Sequence, residues 1–260
     1  MSDLMKLNKR RLVGIIPAAG VGSRLFPYNG GKEVLPVGAQ HITVNGKKEE
    51  RPKIVSQYVI EAMAEAGVEH IIIVTRPTKH ALMGLHLDGS QYGVHISYIV
   101  QHPVSMAHSI DLAYYWVKDS TVVMGMPDTI VTPRTCIKQL LKQHGMSGAE
   151  LSLGLFPTDK PHKFGMVKTD ADGNITHHQD KPARTDAKTM WGLAVWEPFF
   201  TQLLHDETQK APVSDKEMAL GDVFDAMMQQ GKVCKAYPVT DGKYYDIGTY
   251  DDYKRAMLEL

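Results

Sequence analysis

The 260-residue chain balances 29 Lys plus Arg against 29 Asp plus Glu, and is 43% hydrophobic and 22% charged. That neutrality excludes the electrostatic surface of a general nucleic-acid or polybasic membrane binder, so any anion must be captured by a local site. Two cysteines, Cys136 and Cys234, neither in a CxxC pair, exclude a disulfide framework and a structural zinc site and point to a reducing compartment.

In chain order, Lys9, Arg10 and Arg11 precede LVGIIPA (12–18). This run is short, contains Pro17 and leads into glycines, so it reads as a first strand and not as a signal peptide. No apolar run approaches the roughly 20 residues that span a bilayer, and a cytoplasmic protein with no membrane partner is expected. HITVNGKKEE (41–50) carries an Asn-Gly turn and reads as a small exposed hairpin inserted between LPVG and RPKIV. IVSQYVIEAMAEAG (54–67) is apolar at helical spacing and should stop at Gly67. HIIIVT (70–75), HISYIV (95–100), TVVMGM (121–126) and LSLGLF (151–156) are dense in Ile and Val with little alternation. Such strands are covered on both faces, as in a parallel sheet. TCIKQLLKQHG (135–145) is a second helix, expected to stop at Gly145. FGMVKTDADGNITHHQDKP (164–182) reads as a hairpin through Asp172-Gly173-Asn174. WGLAVWEP (191–198) is another strand and GDVFDAMMQQG (221–231) another helix.

The alternation predicts one α/β domain over 1–260, a three-layer Rossmann-like sheet, mixed but mostly parallel, flanked by helices. Its two halves, 1–130 and 131–260, should share that sheet, the second adding antiparallel strands. The twelve histidines include no HExxH, and His177 and His178 would project to opposite faces of a strand, so dispersed surface histidines are expected.

The chemistry starts at IIPAAGVGSRLFPYNGGKEVLP (15–36). Glycines after a buried strand let backbone N–H groups approach a phosphate, and Arg24 and Lys32 could screen its charge. A dinucleotide fingerprint needs a third glycine where this chain has Leu25. A Walker A loop needs Ser or Thr where it has Glu33. Taken alone, the loop serves equally well as a structural turn.

IIPAAGVGSRLFP followed by KEVLPVG resembles the signature of the sugar-1-phosphate nucleotidylyltransferases, the nucleotide-sugar pyrophosphorylases. The likeness continues in order through Arg51-Pro52-Lys53-Ile54, DGSQYGV (88–94), Gln101 with Ser105-Met106-Ala107-His108, GMPDTIV (125–131), FGMV (164–167), Asp180-Lys181-Pro182 and YYDIGTYDDY (244–253). It implies the nucleotide-diphospho-sugar transferase fold, with 1–130 binding nucleotide and 131–260 binding sugar phosphate. It further implies that Asp128 and Asp246 ligate Mg²⁺ and that Arg24, Lys32 and Lys181 are catalytic. Ala18, Ala19, Gly20, Gly22, Gln101 and Ala107 would bind the nucleotide; Phe164, Gly165, Asp180 and Trp191 would line the sugar pocket.

The implied reaction joins a nucleoside triphosphate to a sugar-1-phosphate with release of pyrophosphate. Gln101 and DGSQYG resemble thymidylyltransferases, whereas Pro127-Asp128 and Lys32-Glu33 resemble uridylyltransferases. dTTP or UTP with glucose-1-phosphate is therefore the expected pair, and a homo-oligomer is left open. The alternatives are a cytidylyltransferase acting on another phosphorylated substrate and a non-catalytic nucleotide-sugar binding protein. Aspartate precedes Lys181 where the family usually has glutamate, Ala19 replaces a usual glycine, and so does Ser105.

Overall fold

The computed structural model describes residues 10–28, 30–210 and 218–260; Lys9 of the N-terminal basic triplet lies outside them. The elements run β1 (Leu12–Pro17), β2 (Pro36–Val44), β3 (Lys47–Ile54), α1 (Val55–Glu65), β4 (His70–Thr75), α2 (His80–His86) and β5 (His95–Val100). There follow α3 (Met106–Asp111), α4 (Tyr114–Val117), β6 (Thr121–Gly125), β7 (Thr129–Thr132), α5 (Cys136–Ser147) and β8 (Leu151–Pro157). The last stretch is β9 (Gly165–Thr169), β10 (Ile175–Asp180), β11 (Thr189–Trp196), α6 (Pro198–Lys210), α7 (Leu220–Gln229), β12 (Cys234–Pro238), β13 (Lys243–Asp246) and α8 (Tyr250–Glu259).

A nine-stranded sheet organises them, in the order β10-β9-β11-β6-β1-β4-β5, with β8 also beside β11 and β12 beside β8. β1 pairs in parallel with both β4 and β6, and β4 with β5. β11 crosses over antiparallel to β6 and carries the antiparallel β8 and β9. One mixed sheet therefore runs through the chain, as the strand pattern predicts.

The unbroken Ile/Val runs are explained by burial on both faces. Val13, Ile15, Ile72 and Val74 face a cluster that contains Ile110, Phe200 and Phe224 from α3, α6 and α7. Ile16, Ile71, Ile73 and Val123 face the opposite cluster, with Val59, Ile60 and Met63 of α1 and Leu140 of α5. A third, smaller cluster joins Val37, Val55, Ile130, Tyr245 and Ile247. It anchors the pair β7–β13 beside the main sheet.

Three expectations need correction. The second helix passes through Gly145 and stops only at Gly148, whose φ of +63° supplies the left-handed cap. The hairpin at 41–50 is the tip of a longer ribbon, β2–β3, with Asn45 and Gly46 both at positive φ in the turn. Its base is tied down by Tyr58 and Tyr253, whose hydroxyls donate to the carbonyls of Val37 and Pro36. The histidines are not all on the surface, because His86, His144 and His178 are buried. His86 sits between Ser56 and the Tyr92 hydroxyl, 2.8 Å from each, and burial lowers its pKa to about 4. His144 bridges Ser152 and Glu197. Short polar partners inside the core, invisible to a periodicity argument, make room for these rings.

Among the described residues, no helix is long and apolar enough to cross a membrane.

Candidate active site

The loops that leave β1, β4 and β6 meet at the carboxyl ends of those strands, where open α/β sheets bind ligands. They enclose a cavity of about 370 Å³ lined by Ala18, Ala19, Gly20, Lys32, Arg76 and Asp128, among others. The β1 loop is held in place by its own backbone. The Ala18 N–H donates to the Val74 carbonyl at 2.7 Å, the Lys79 ammonium to the Ala18 carbonyl at 2.7 Å, and Arg76 Nε to the Ala19 carbonyl at 2.6 Å. Lys79 also forms an ion pair at 2.6 Å with Glu33, whose carboxylate is 1% exposed. Lys79, the two alanines and the Lys32–Val34 turn thus form one buried electrostatic joint. A recess of about 530 Å³, lined by Val21, Gly22, Lys32 and Lys79, continues from this cavity along the glycine loop.

Asp128 follows β6 and Asp246 ends β13, far apart in the sequence. The ladder between β7 and β13 sets Asp246 opposite Thr129, and the Ile247 N–H donates to the Asp128 carbonyl at 2.9 Å. The two carboxylates feel each other. Burial raises the Asp246 pKa above the usual carboxylate range and the Asp128 charge raises it further, while Lys32 and Arg24 pull it down. Tyr244 is forced up by burial, opposed by a hydrogen bond with Thr129 and reinforced by both aspartates. Lys32 is paired with the buried Asp128.

Gly248 lets the basic loop close on this acidic pair. A Cβ there would lie 2.5 Å from Asp246 Oδ2 and 3.3 Å from an Arg24 guanidinium nitrogen. Asp128, Asp246, Arg24 and Lys32 therefore share one neighbourhood.

On the far side of Asp246 lies a smaller cavity of about 130 Å³, lined by Phe164, Tyr244, Lys160, Lys163 and Arg255 as well as Asp246. Phe164 meets Tyr244 edge-on, centroids 5.8 Å apart. Lys163 is fixed by Asp252 at 2.7 Å, and Thr249 donates to the same carboxylate oxygen. Gly165 and Trp191 face each other across β9 and β11, and a Cβ on Gly165 would lie 2.2 Å from the indole nitrogen. Trp191 also packs edge-on against Phe224, so its ring belongs to the core as much as to any pocket.

The remaining expected site residues lie elsewhere. Gln101 is exposed and does not line the large cavity; its N–H donates to the Thr75 carbonyl. Ala107 is fully buried in the apolar core behind that cavity. Lys181 follows Asp180 at the end of β10, with φ of +44° and its ammonium 3.6 Å from the Asp180 carboxylate, and neither residue lines a cavity described above.

Sequence reasoning missed Arg76, Lys79, Ser109 and the Lys160–Lys163 pair. For the first two a signal existed: TRPTK (75–79) puts two cations directly after a buried strand, the pattern already noted for the first loop.

A magnesium ion typically takes one or two carboxylates and completes its octahedron with water and phosphate oxygens. The buried Asp128 and the half-buried Asp246, which repel one another and are only partly neutralised by Lys32 and Arg24, fit that donor set. No cluster of three or more His, Cys, Asp or Glu suited to a metal occurs among the described residues. A site built on these two carboxylates would leave its remaining positions to water and phosphate oxygens.

The fold and this loop geometry are those of an open α/β sheet with a ligand-sized cavity at the carboxyl ends of its parallel strands. The nucleotidyl transferase family model matches residues 13–260, and the chain belongs to that family. It is 27% identical over 248 residues to the low-salt glycan biosynthesis nucleotidyltransferase Agl11 of Haloferax volcanii, covering 94% of this chain and 64% of that protein. To the glucose-1-phosphate thymidylyltransferase of Neisseria meningitidis it is 24% identical over 250 residues, covering 94% and 80%. The chain thus spans about two thirds to four fifths of the length of these relatives. Among solved structures, a UDP-glucose pyrophosphorylase complexed with UDP-glucose shares the fold at a TM-score of 0.77 and 21% identity, covering 95% of this chain and 97% of that one.

Proposed function

We propose that the protein transfers a nucleotidyl group from dTTP or UTP to a hexose-1-phosphate, with glucose-1-phosphate the first choice, and releases pyrophosphate. The observation that carries this reading is the meeting of Asp128 and Asp246 beside Arg24 and Lys32, next to a cavity walled by the glycine loop.

A sugar phosphate has a second pKa of about 6, so its attacking oxygen is already ionised near neutrality and no general base is needed. That oxygen forms a bond to the α-phosphorus as the bond from the α-phosphorus to the bridging oxygen breaks. The departing pyrophosphate keeps the electron pair. The barrier is repulsion between polyanions, and positioned cations lower it. Asp128 and Asp246 would hold Mg²⁺, which supplies Lewis-acid polarisation of the α-phosphate when bound.

Arg24, beside Asp246, grips the leaving pyrophosphate. Lys32, paired with Asp128, is placed to exchange that partner for a phosphate oxygen. The cavity that contains Phe164, Tyr244 and Asp246 is the space adjoining the acidic pair in which a sugar phosphate can sit. Lys181 is assigned to the sugar phosphate on family likeness, and this requires the 180–182 turn to fold inward when substrate binds.

The test is to incubate the protein and Mg²⁺ with each nucleoside triphosphate and a panel of sugar-1-phosphates while recording pyrophosphate release. Release with UTP or dTTP and glucose-1-phosphate is expected; silence with every pair would favour a non-catalytic binder.

A further inference from the structure

The sheet order gives the large cavity a direction. Asp128 follows β6, Ala18 follows β1, Arg76 follows β4, and Ser105 and Ser109 belong to the segment after β5; these four strands lie side by side in that order. A nucleoside whose α-phosphorus lies at Asp128 must place its base toward the β4–β5 end. At that end stand Arg76 and Ser109, both lining the cavity.

Arg76 is held in a defined pose, because its Nε donates to the Ala19 carbonyl at 2.6 Å. Among the described residues this is the only hydrogen bond of its side chain, which forms no ion pair. Its two terminal amino groups are therefore available to a ligand. Ser109 adds an independent sign of a ligand: it is 3% exposed and its hydroxyl has no hydrogen-bond partner among the described residues. A buried polar atom of this kind requires an explanation, and a bound base supplies one.

A hydroxyl donates or accepts and so discriminates little, whereas guanidinium is donor-only. Bases differ at the exocyclic position this donor would meet. Thymine, and uracil with the same edge, present O4, and guanine presents O6 beside N7; cytosine and adenine present an amino group in the corresponding place.

We propose that Arg76 selects the nucleobase, admitting bases with an oxo group at C4 of a pyrimidine or C6 of a purine and rejecting those with an amino group at that position. This rests on the nucleotidylyl-transfer reading only in its choice of base end. An amino group facing the guanidinium would leave donors opposed and unpaired, the arrangement that produces strong rejection in buried sites.

The experiment compares the whole protein with Arg76→Lys and Arg76→Gln, using kcat/KM for UTP against CTP and for GTP against ATP, with glucose-1-phosphate and Mg²⁺. In parallel, calorimetry measures binding of the same four nucleotides without sugar phosphate. The wild type is expected to prefer the oxo member of each pair, and both substitutions should shrink that preference about tenfold or more. The lysine variant keeps the charge but loses the fork, so a residue that only held phosphate would keep its preference there. Equal weakening toward all four nucleotides would mean that Arg76 merely braces Ala19, and would overturn the proposal. So would CTP serving the wild type as well as UTP, or no binding of any nucleotide. Base-selective, Arg76-dependent binding without turnover would instead sink the transfer reading and leave this one standing.

Discussion

The two spaces on either side of the acidic pair are built by different means. The larger one, at the ends of the parallel strands, is held open by charge: Glu33 is locked to Lys79, Lys79 and Arg76 hold the carbonyls of the first loop, and Lys32 is turned to Asp128. The smaller one, on the antiparallel side, sets the aromatic pair Phe164 and Tyr244 beside Lys160, Lys163 and Arg255, with Trp191 closed over Gly165 nearby. Parallel strands end in loops that can all deliver polar groups to one edge, whereas hairpins bring rings face to face. The first construction suits a polyanion whose charge must be met along its length, the second a ring that carries a single phosphate, with aromatic walls for its shape and a few cations for its charge.

Substitutions can break this division, and the largest effect belongs to the acidic pair. Asp128→Ala or Arg24→Ala should lower the rate of pyrophosphate release by orders of magnitude with an unchanged circular-dichroism spectrum. Near-normal turnover in either variant would remove that residue from the mechanism. On the charged side, Lys79→Met strands Glu33 in the core, and chemical denaturation should report a loss of about 3–5 kcal/mol, the usual consequence of an uncompensated buried charge.

A third test uses pH. His86 has its pKa lowered from 6.5 to about 4 by burial, so between those values the unfolded chain binds a proton that the folded chain refuses. Its contribution is intact above pH 6.5 and is lost as the pH falls toward 4. The loss amounts to on the order of 3 kcal/mol. Unfolding midpoints measured at pH 7 and pH 5 should diverge more in the wild type than in His86→Gln.

On the aromatic side, Gly165→Ala drives a methyl into the Trp191 indole, and about 1–3 kcal/mol of destabilisation is expected from such overpacking. An unaltered melting temperature would show that the ring simply swings aside. The smallest effect concerns Lys160, whose partly exposed pair with Asp252 at 3.5 Å should contribute about 1 kcal/mol or less.

The strands and their two-sided burial were legible in the chain because Ile and Val runs at 70–75 and 121–126 have no polar alternation, which only a sheet covered on both faces tolerates. The glycine loop, Arg24 and Lys32 were legible for a similar local reason: small residues and cations stand directly after such a strand. Family likeness extended this to Asp128 and Asp246, whose partnership no spacing could disclose. What only the tertiary structure decided is which side chains meet. The β7–β13 ladder joins the two aspartates, β4 delivers Arg76 and Lys79 to the first loop, and the end of β10 leaves Lys181 outside. Local pattern is set by the period of the backbone, but a site depends on strand order, and strand order arises from long-range packing that a linear reading does not contain.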